Sequence, residues 1–84
     1  MEKFKLRASH IRELLKKQEY RCYLSGVELN PDNVDIEHIV PLGKGGLHEL
    51  TNLCLIERSF RELKRYHTVE EIKDLCQKVV LHGC

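Results

Sequence analysis

A glycine-rich segment, Gly43-Lys44-Gly45-Gly46, is the strongest constraint that this sequence places on its fold. Three glycines within four residues would lose too much backbone entropy in a helix or a strand, so a loop is predicted here. The preceding residues, Val34 to His38, alternate in character with the two-residue period of a strand. The apolar run Leu53-Cys54-Leu55-Ile56 predicts a second, buried strand. The sequence therefore predicts two strands joined through a glycine loop.

Helical segments are predicted on both sides of this unit. Apolar residues recur at helical spacing over about 9–20, where Ser9 is the expected N-cap. A short helix is expected from about Glu57. Thr68 and Glu71 form a capping box that predicts a last helix over about 69–81. Between the first helix and the first strand, residues 21–29 predict a short hairpin.

The length of the chain limits what these elements can build. Eighty-four residues suffice for one domain with a modest core. We therefore expect a single α+β domain over residues 1–84, with a core at 21–65. Such a domain has little room for an enclosed active site, which favours a long substrate lying across the surface, such as nucleic acid. Both flanks of the chain are basic and its middle is acidic, a weak indication of phosphate binding around a cation site.

Glu37 and His38 are the residues that most strongly indicate chemistry. Histidine can serve as a general base because its pKa lies near neutrality, and a glutamate can hold a hard cation such as Mg²⁺. Neighbouring residues on a strand point to opposite faces, so their cooperation requires the chain to bend here. Asn52 follows His38 by 14 positions. The arrangement suits metal-assisted attack of water on a phosphodiester, although a single histidine at a strand end is more often a structural residue.

Residues 21–64, about half of the chain, closely resemble the HNH endonucleases. The matching segments are Tyr20-Arg21-Cys22, Asp35 through Leu42, Lys44-Gly45-Gly46, Leu50 through Leu53, Arg58-Ser59 and Lys64. The resemblance implies a ββα-metal finger and cleavage of DNA with Mg²⁺ or another divalent cation, such as Mn²⁺. It also implies that His38 is the general base, that Glu37 binds the catalytic metal, and that Asn52 holds the loop and the histidine in place.

The sequence departs from the family at two places. The family usually has a four-cysteine zinc site, of which only Cys22 is present, because Ser25, Glu57 and Phe60 occupy the other three positions. We therefore expect no structural zinc, with Leu24 and Phe60 supplying apolar packing instead.

The second departure is Arg61, which stands where the family has its last metal ligand. Arginine cannot bind a cation, since it has donors only. Three outcomes stay open at this point: Glu62 or His67 replaces the ligand, Arg61 stabilises the phosphorane, or catalysis is lost. The residues expected to contact phosphates are Lys44, Arg58, Arg61 and Lys64.

Two alternatives accompany the endonuclease hypothesis. The first is a catalytically silent HNH-like domain that binds nucleic acid or a protein partner. The second, a zinc-binding interaction module, is disfavoured because no two cysteines have C-x-x-C spacing. With one active site per chain, a homodimer is the simplest route to a double-strand break.

No apolar signal segment or membrane-spanning run is found in the sequence. We therefore expect no membrane association. We also expect the protein to be cytoplasmic, where a reducing environment keeps its four cysteines as thiols. Cys54 and Cys76 are both predicted to be thiols of the core.

Overall fold

The computed structural model describes residues 4–83 and contains a two-stranded sheet with three α-helices. The elements follow in the order α1 (Ala8–Lys17), β1 (Val34–His38), β2 (Leu53–Glu57), α2 (Arg61–Tyr66) and α3 (Val69–His82). The predicted α+β class is confirmed, with a strand–strand–helix centre and a helix on each side of it in the sequence. Short 3₁₀ turns lie between these elements at Leu42–Lys44, Leu50–Asn52 and Arg58–Phe60.

The two strands form an antiparallel pair that lies between helices. Val34 pairs with Glu57 at one end of the sheet, and His38 pairs with Leu53 at the other. Val34 and Ile36 of β1 pack on the main apolar cluster, which includes Leu14 of α1. Asp35 and Glu37, which alternate with them on β1, face α2 instead, where their carboxylates lie 3.7 and 3.8 Å from Arg61 and Arg65. The first four residues of β2 are all buried, because both faces of this strand are covered.

The outer edge of β2 is closed by the segment that follows α1. The Gln18 side chain accepts a hydrogen bond from the backbone N–H of Leu55 and donates one to its carbonyl, both at 2.9 Å. This contact explains why α1 ends at Lys17 rather than near residue 20. Glu19 and Tyr20 then adopt left-handed backbone angles, with φ of 55° and 61°. A strand edge that would otherwise be open is thereby paired.

The predicted hairpin of residues 21–29 is reduced to a single bridge between Arg21 and Glu28. The turn is organised around Cys22, whose Sγ accepts hydrogen bonds from the backbone N–H groups of Ser25 and Glu57 at 3.5 and 3.2 Å. Burial opposes ionisation of Cys22, but hydrogen bonding by the Ser25 side chain and by nearby backbone N–H groups outweighs it and lowers the pKa of the thiol. Leu24 and Phe60 pack against the core beside it, as expected. We call residues 21–29 the knuckle.

Helix α3 begins with the predicted capping box, in which Thr68 and Glu71 each accept a hydrogen bond from the other's backbone N–H. Ile72 is its one buried residue. Cys54 is fully buried as predicted, whereas the prediction for Cys76 is wrong: it is exposed because the later turns of α3 extend beyond the core. Cys84 lies outside the described residues. Across residues 4–83, no helix has the length and apolarity needed to span a bilayer.

Candidate active site

A cleft of about 540 Å³ opens where β1 ends. One side is formed by the end of the strand and the turn after it, and the other side by the last turn of α2. The residues that line it are Glu37, His38, Pro41, Leu42, Gly43, Lys44, Arg65 and Tyr66. Two of the residues predicted to carry chemistry, Glu37 and His38, therefore share one cleft.

The strand geometry explains how adjacent residues reach the same cleft. Glu37 lies on the face of β1 that packs against α2, where its carboxylate is 3.8 Å from Nε of Arg65. His38 is the last residue of the strand. Beyond it the chain turns at Pro41 into a 3₁₀ turn. Because the strand stops at this point, the imidazole is at the rim of the cleft rather than behind the sheet.

His38 is held by a second imidazole. Its Nε2 lies 2.9 Å from Nδ1 of His48, and the ring centroids are 5.2 Å apart. Partial burial lowers the pKa of His38, and the nearby His48 lowers it further, whereas Glu37 acts in the opposite direction. The pKa therefore lies below 6.5, the ordinary value. The lowered pKa favours the neutral form of His38, which has a lone pair for accepting a proton.

Glu37 is a buried carboxylate surrounded by positive charge. The residue is only 8% exposed, and Arg65 lies over it at the mouth of the cleft. Lys64 lies on the inner side. Burial lowers the pKa of Lys64, and the negative charge of Glu37 acts in the opposite direction without cancelling this effect.

Asn52 fixes the loop that carries the cleft wall. Its side-chain oxygen accepts from the Val40 N–H at 2.9 Å, and its amide nitrogen donates to the carbonyls of Val40 and Leu47 at 3.0 and 2.8 Å. Its own carbonyl accepts from the N–H of Ile39, the residue after His38. Gly46 completes this packing, since a Cβ there would overlap the Val40 carbonyl. The glycine is thus required by a close approach of two backbone segments.

Lys64 is not a phosphate contact, and that prediction is corrected here. The side chain is fully buried, and its Nζ donates to the carbonyls of Ile39 and His67 at 2.6 and 2.9 Å. It therefore joins the end of β1 to the end of α2. Its donors point into the protein, so a bound nucleic acid cannot reach them.

The other predicted phosphate contacts occupy different parts of the surface. Lys44 lines the cleft and forms an ion pair with Glu71 at 3.2 Å. Arg61 is half exposed and lies 3.7 Å from Asp35, one helical turn before Arg65. Arg58 is exposed and follows the far end of β2, roughly 16 Å along the chain from the residue that pairs with His38. Only Lys44 of these three belongs to the cleft.

The predicted additional metal ligands do not gather around Glu37. Glu62 is an exposed residue of α2 with an ion pair to Arg65 at 3.9 Å, and Nδ1 of His67 lies 2.9 Å from the carbonyl of Leu63. Neither lines the cleft. Within residues 4–83, no three His, Cys, Asp or Glu side chains are grouped so as to hold a metal ion. A cation at Glu37 would have to complete its coordination with water and with oxygens of a bound substrate.

Two residues at this site, Arg65 and His48, were not among the site residues predicted from the sequence. Sequence reasoning had only counted Arg65 among the basic residues of the short helix and His48 among the histidines able to approach the site. Arg65 could have been found from its position one helical turn after Arg61, which places both on the side of α2 that faces β1. His48 gave a weaker signal. Its proximity to His38 requires the loop to fold back before Asn52, and the two histidines have no recognisable ligand spacing.

The chain was compared with known proteins. A scan against protein-family models gives no match, and a search of curated proteins finds no significant relative.

Proposed function

We propose that this protein is an HNH-type endonuclease that hydrolyses phosphodiester bonds of DNA with a divalent cation. The observation that carries the proposal is the meeting of Glu37 and His38 in one open cleft with Lys44 and Arg65. Attack of water on a phosphate diester needs a base, a carboxylate that can hold a metal ion, and positive charge, and this cleft contains His38, Glu37 and two basic side chains. The cleft opens to the surface, as a polymeric substrate requires.

In the proposed reaction, His38 removes a proton from a water molecule that attacks the phosphorus. The phosphorane that forms carries extra negative charge, which Lys44 and Arg65 offset from opposite sides of the cleft. The bond from phosphorus to the leaving oxygen then breaks, and the leaving oxygen is protonated from solvent. Asn52 acts indirectly, because its hydrogen bonds to Val40 and Leu47 hold the cleft wall in place.

Glu37 would hold the divalent cation in this proposal. One carboxylate together with substrate phosphate oxygens and water is a usual coordination for Mg²⁺, so a single protein ligand fits this ion. The bound cation would stabilise charge on the leaving oxygen. A cation held by Glu37 would compete with Arg65, whose Nε lies 3.8 Å from the same carboxylate.

A plasmid-nicking assay tests the proposal. We expect cleavage with Mg²⁺ or Mn²⁺ that stops when chelator is added and falls by about 100-fold or more in His38→Ala, the usual range for loss of a general base. The matched control is His82→Ala, which removes an exposed histidine from the end of α3. If the wild type and His38→Ala cleave at equal rates, the enzyme proposal is wrong.

The second candidate is a catalytically silent domain of the same type that binds nucleic acid or a protein partner. It is favoured by the ion pair between Arg65 and Glu37 and by the Arg61 guanidinium at the expected ligand position. DNA binding that weakens with salt but persists in chelator, with no cleavage, would support it. Arg61→Ala should then weaken DNA binding, since Arg61 is half exposed, whereas Lys73→Ala on α3 should not.

The proposal extends to assembly and location. Each chain contributes one site, so cleavage of both strands would require a homodimer or two successive nicks. Sedimentation of the protein with and without a DNA duplex distinguishes these routes.

A reducing compartment, the cytoplasm, suits a chain whose Cys22, Cys54 and Cys76 are free thiols. Burial keeps Cys54 protonated by raising its pKa to about 12.

A further inference from the structure

His48 is close to His38 but does not line the cleft. Its Nδ1 is 2.9 Å from Nε2 of His38, a distance at which one imidazole must donate to the other. Phe4 supports His48 from another side, with the two rings edge to face and their centroids 5.3 Å apart. His48 is thus fixed between an aromatic ring and the proposed base.

We propose that His48 is the positioning residue of the proposed general base: it accepts the Nε2 proton of His38 and so leaves Nδ1 of His38 as the atom that takes a proton from water. This inference rests on the proposed function. The logic is that of any activated base, whose second polar atom is held by a third group that fixes its tautomer and orientation. Here the third group is an imidazole rather than a carboxylate.

The opposite direction of the hydrogen bond would not give a working base. If His48 donated to Nε2 of His38, the lone pair of Nε2 would be occupied and the remaining proton of neutral His38 would be on Nδ1. Neither ring nitrogen could then accept a proton from water. Only the arrangement in which His38 donates is compatible with general base catalysis.

Phe4 and His10 extend this arrangement toward the N-terminal segment. The Phe4 ring also packs against His10, at 5.1 Å between centroids, and Nδ1 of His10 accepts from the Arg7 N–H at 3.0 Å. Residues 4–7, which precede α1, are therefore anchored next to His48. This anchoring limits rotation of the His48 ring. A positioning residue needs such a fixed orientation.

Three substitutions of His48 separate hydrogen bonding from packing. His48→Ala removes both the acceptor and the ring. His48→Phe keeps a ring against Phe4 but removes the acceptor, and His48→Asn places an amide oxygen near the position of Nδ1. We expect kcat for DNA cleavage to fall by about 10-fold to 100-fold in the first two variants, with KM unchanged because His48 lies outside the cleft. His48→Asn should recover most of the lost kcat.

A spectroscopic measurement makes the inference independent of activity. The nitrogen chemical shifts of His38, measured by NMR where both rings are neutral, report which nitrogen carries the proton. We expect the Nε2-protonated tautomer in the wild type and in His48→Asn, and a mixture in His48→Phe. If wild-type His38 is protonated on Nδ1, or if its tautomer does not respond to His48, the inference is overturned even if the protein cleaves DNA. Absence of cleavage with the expected tautomers would instead reject the endonuclease proposal and leave standing only the direction of the hydrogen bond from His38 to His48.

Discussion

The two ends of the sheet are stabilised by different kinds of contact. At the knuckle end, near Val34 and Glu57, the contacts are apolar side chains and backbone N–H groups around the buried thiol of Cys22. At the cleft end, near His38, two charged residues are buried, Glu37 and Lys64, and they are the only buried charged residues described in the range 4–83.

This difference shows which end of the sheet stabilises the fold and which end carries a cost in folding free energy. Burying a charge costs free energy unless the group is paired and hydrogen-bonded, whereas apolar burial at the knuckle is favourable by itself. The cleft end therefore depends on a complete set of partners for its polar groups. Its shape should be more sensitive to single substitutions than that of the knuckle.

Lys64→Ala should have the largest effect on stability. It removes the donor that joins Ile39 to His67 and leaves a cavity, so we expect the free energy of unfolding to fall by about 3 kcal/mol. Lys73→Ala, at an exposed position of α3, is the control and should change it little. Urea denaturation measures both. Equal effects of the two substitutions would remove the contrast between the ends of the sheet.

Gly46→Ala should rank second. The added Cβ overlaps the Val40 carbonyl and crowds the Asn52 amide, so the loop must shift at a cost of about 2 kcal/mol. Gly43→Ala is a matched control in the same loop, because a Cβ there meets nothing within 4 Å. Thermal unfolding of the pair gives the comparison. A variant at Gly46 as stable as the one at Gly43 would show that the close approach of the two segments is not needed.

Cys22→Ala should cost less, about 1 kcal/mol. The loss is two weak hydrogen bonds to sulfur together with a small change in buried volume, in a turn that keeps its apolar neighbours Leu24 and Phe60. Cys76→Ala, at an exposed thiol, is the control. DNA cleavage by both variants should match the wild type, because neither residue lines the cleft. Loss of activity in Cys22→Ala at temperatures where it is folded would contradict this separation.

Chelation should have the smallest effect on stability. Cys22 is held by N–H groups, and the part of the chain that the structure describes contains no group of three His, Cys, Asp or Glu side chains placed to hold a metal ion. The midpoint of thermal unfolding should therefore be the same with and without chelator. A midpoint that falls in chelator and returns with Zn²⁺ would show that the knuckle binds a structural metal. The same measurement with Mg²⁺ tests the cleft, where a cation at Glu37 should stabilise the fold only slightly.

The local features of this fold were predictable because they depend on neighbouring residues. The alternation of β1, the glycine loop and the capping box of α3 each involve positions a few residues apart, and the structure has all three. The strand pattern, together with an assumed bend, also predicted that the side chains of Glu37 and His38 reach the same site, and both line one cleft. The hairpin of the knuckle is reduced to one antiparallel bridge, and the core position of Cys76 was predicted wrongly. Both features depend on which surfaces the rest of the chain covers.

The sequence by itself determined the order of elements, the α+β class and the segment in which the candidate site lies. Tertiary structure decided that Lys64 is buried rather than exposed, that Arg65 rather than Arg61 faces Glu37, and that His48 holds His38. These outcomes depend on contacts across 10 to 28 positions of the chain. Whether a polar side chain ends in solvent or against a distant carbonyl is settled only when the helices pack on the sheet and remove water from one side of each residue.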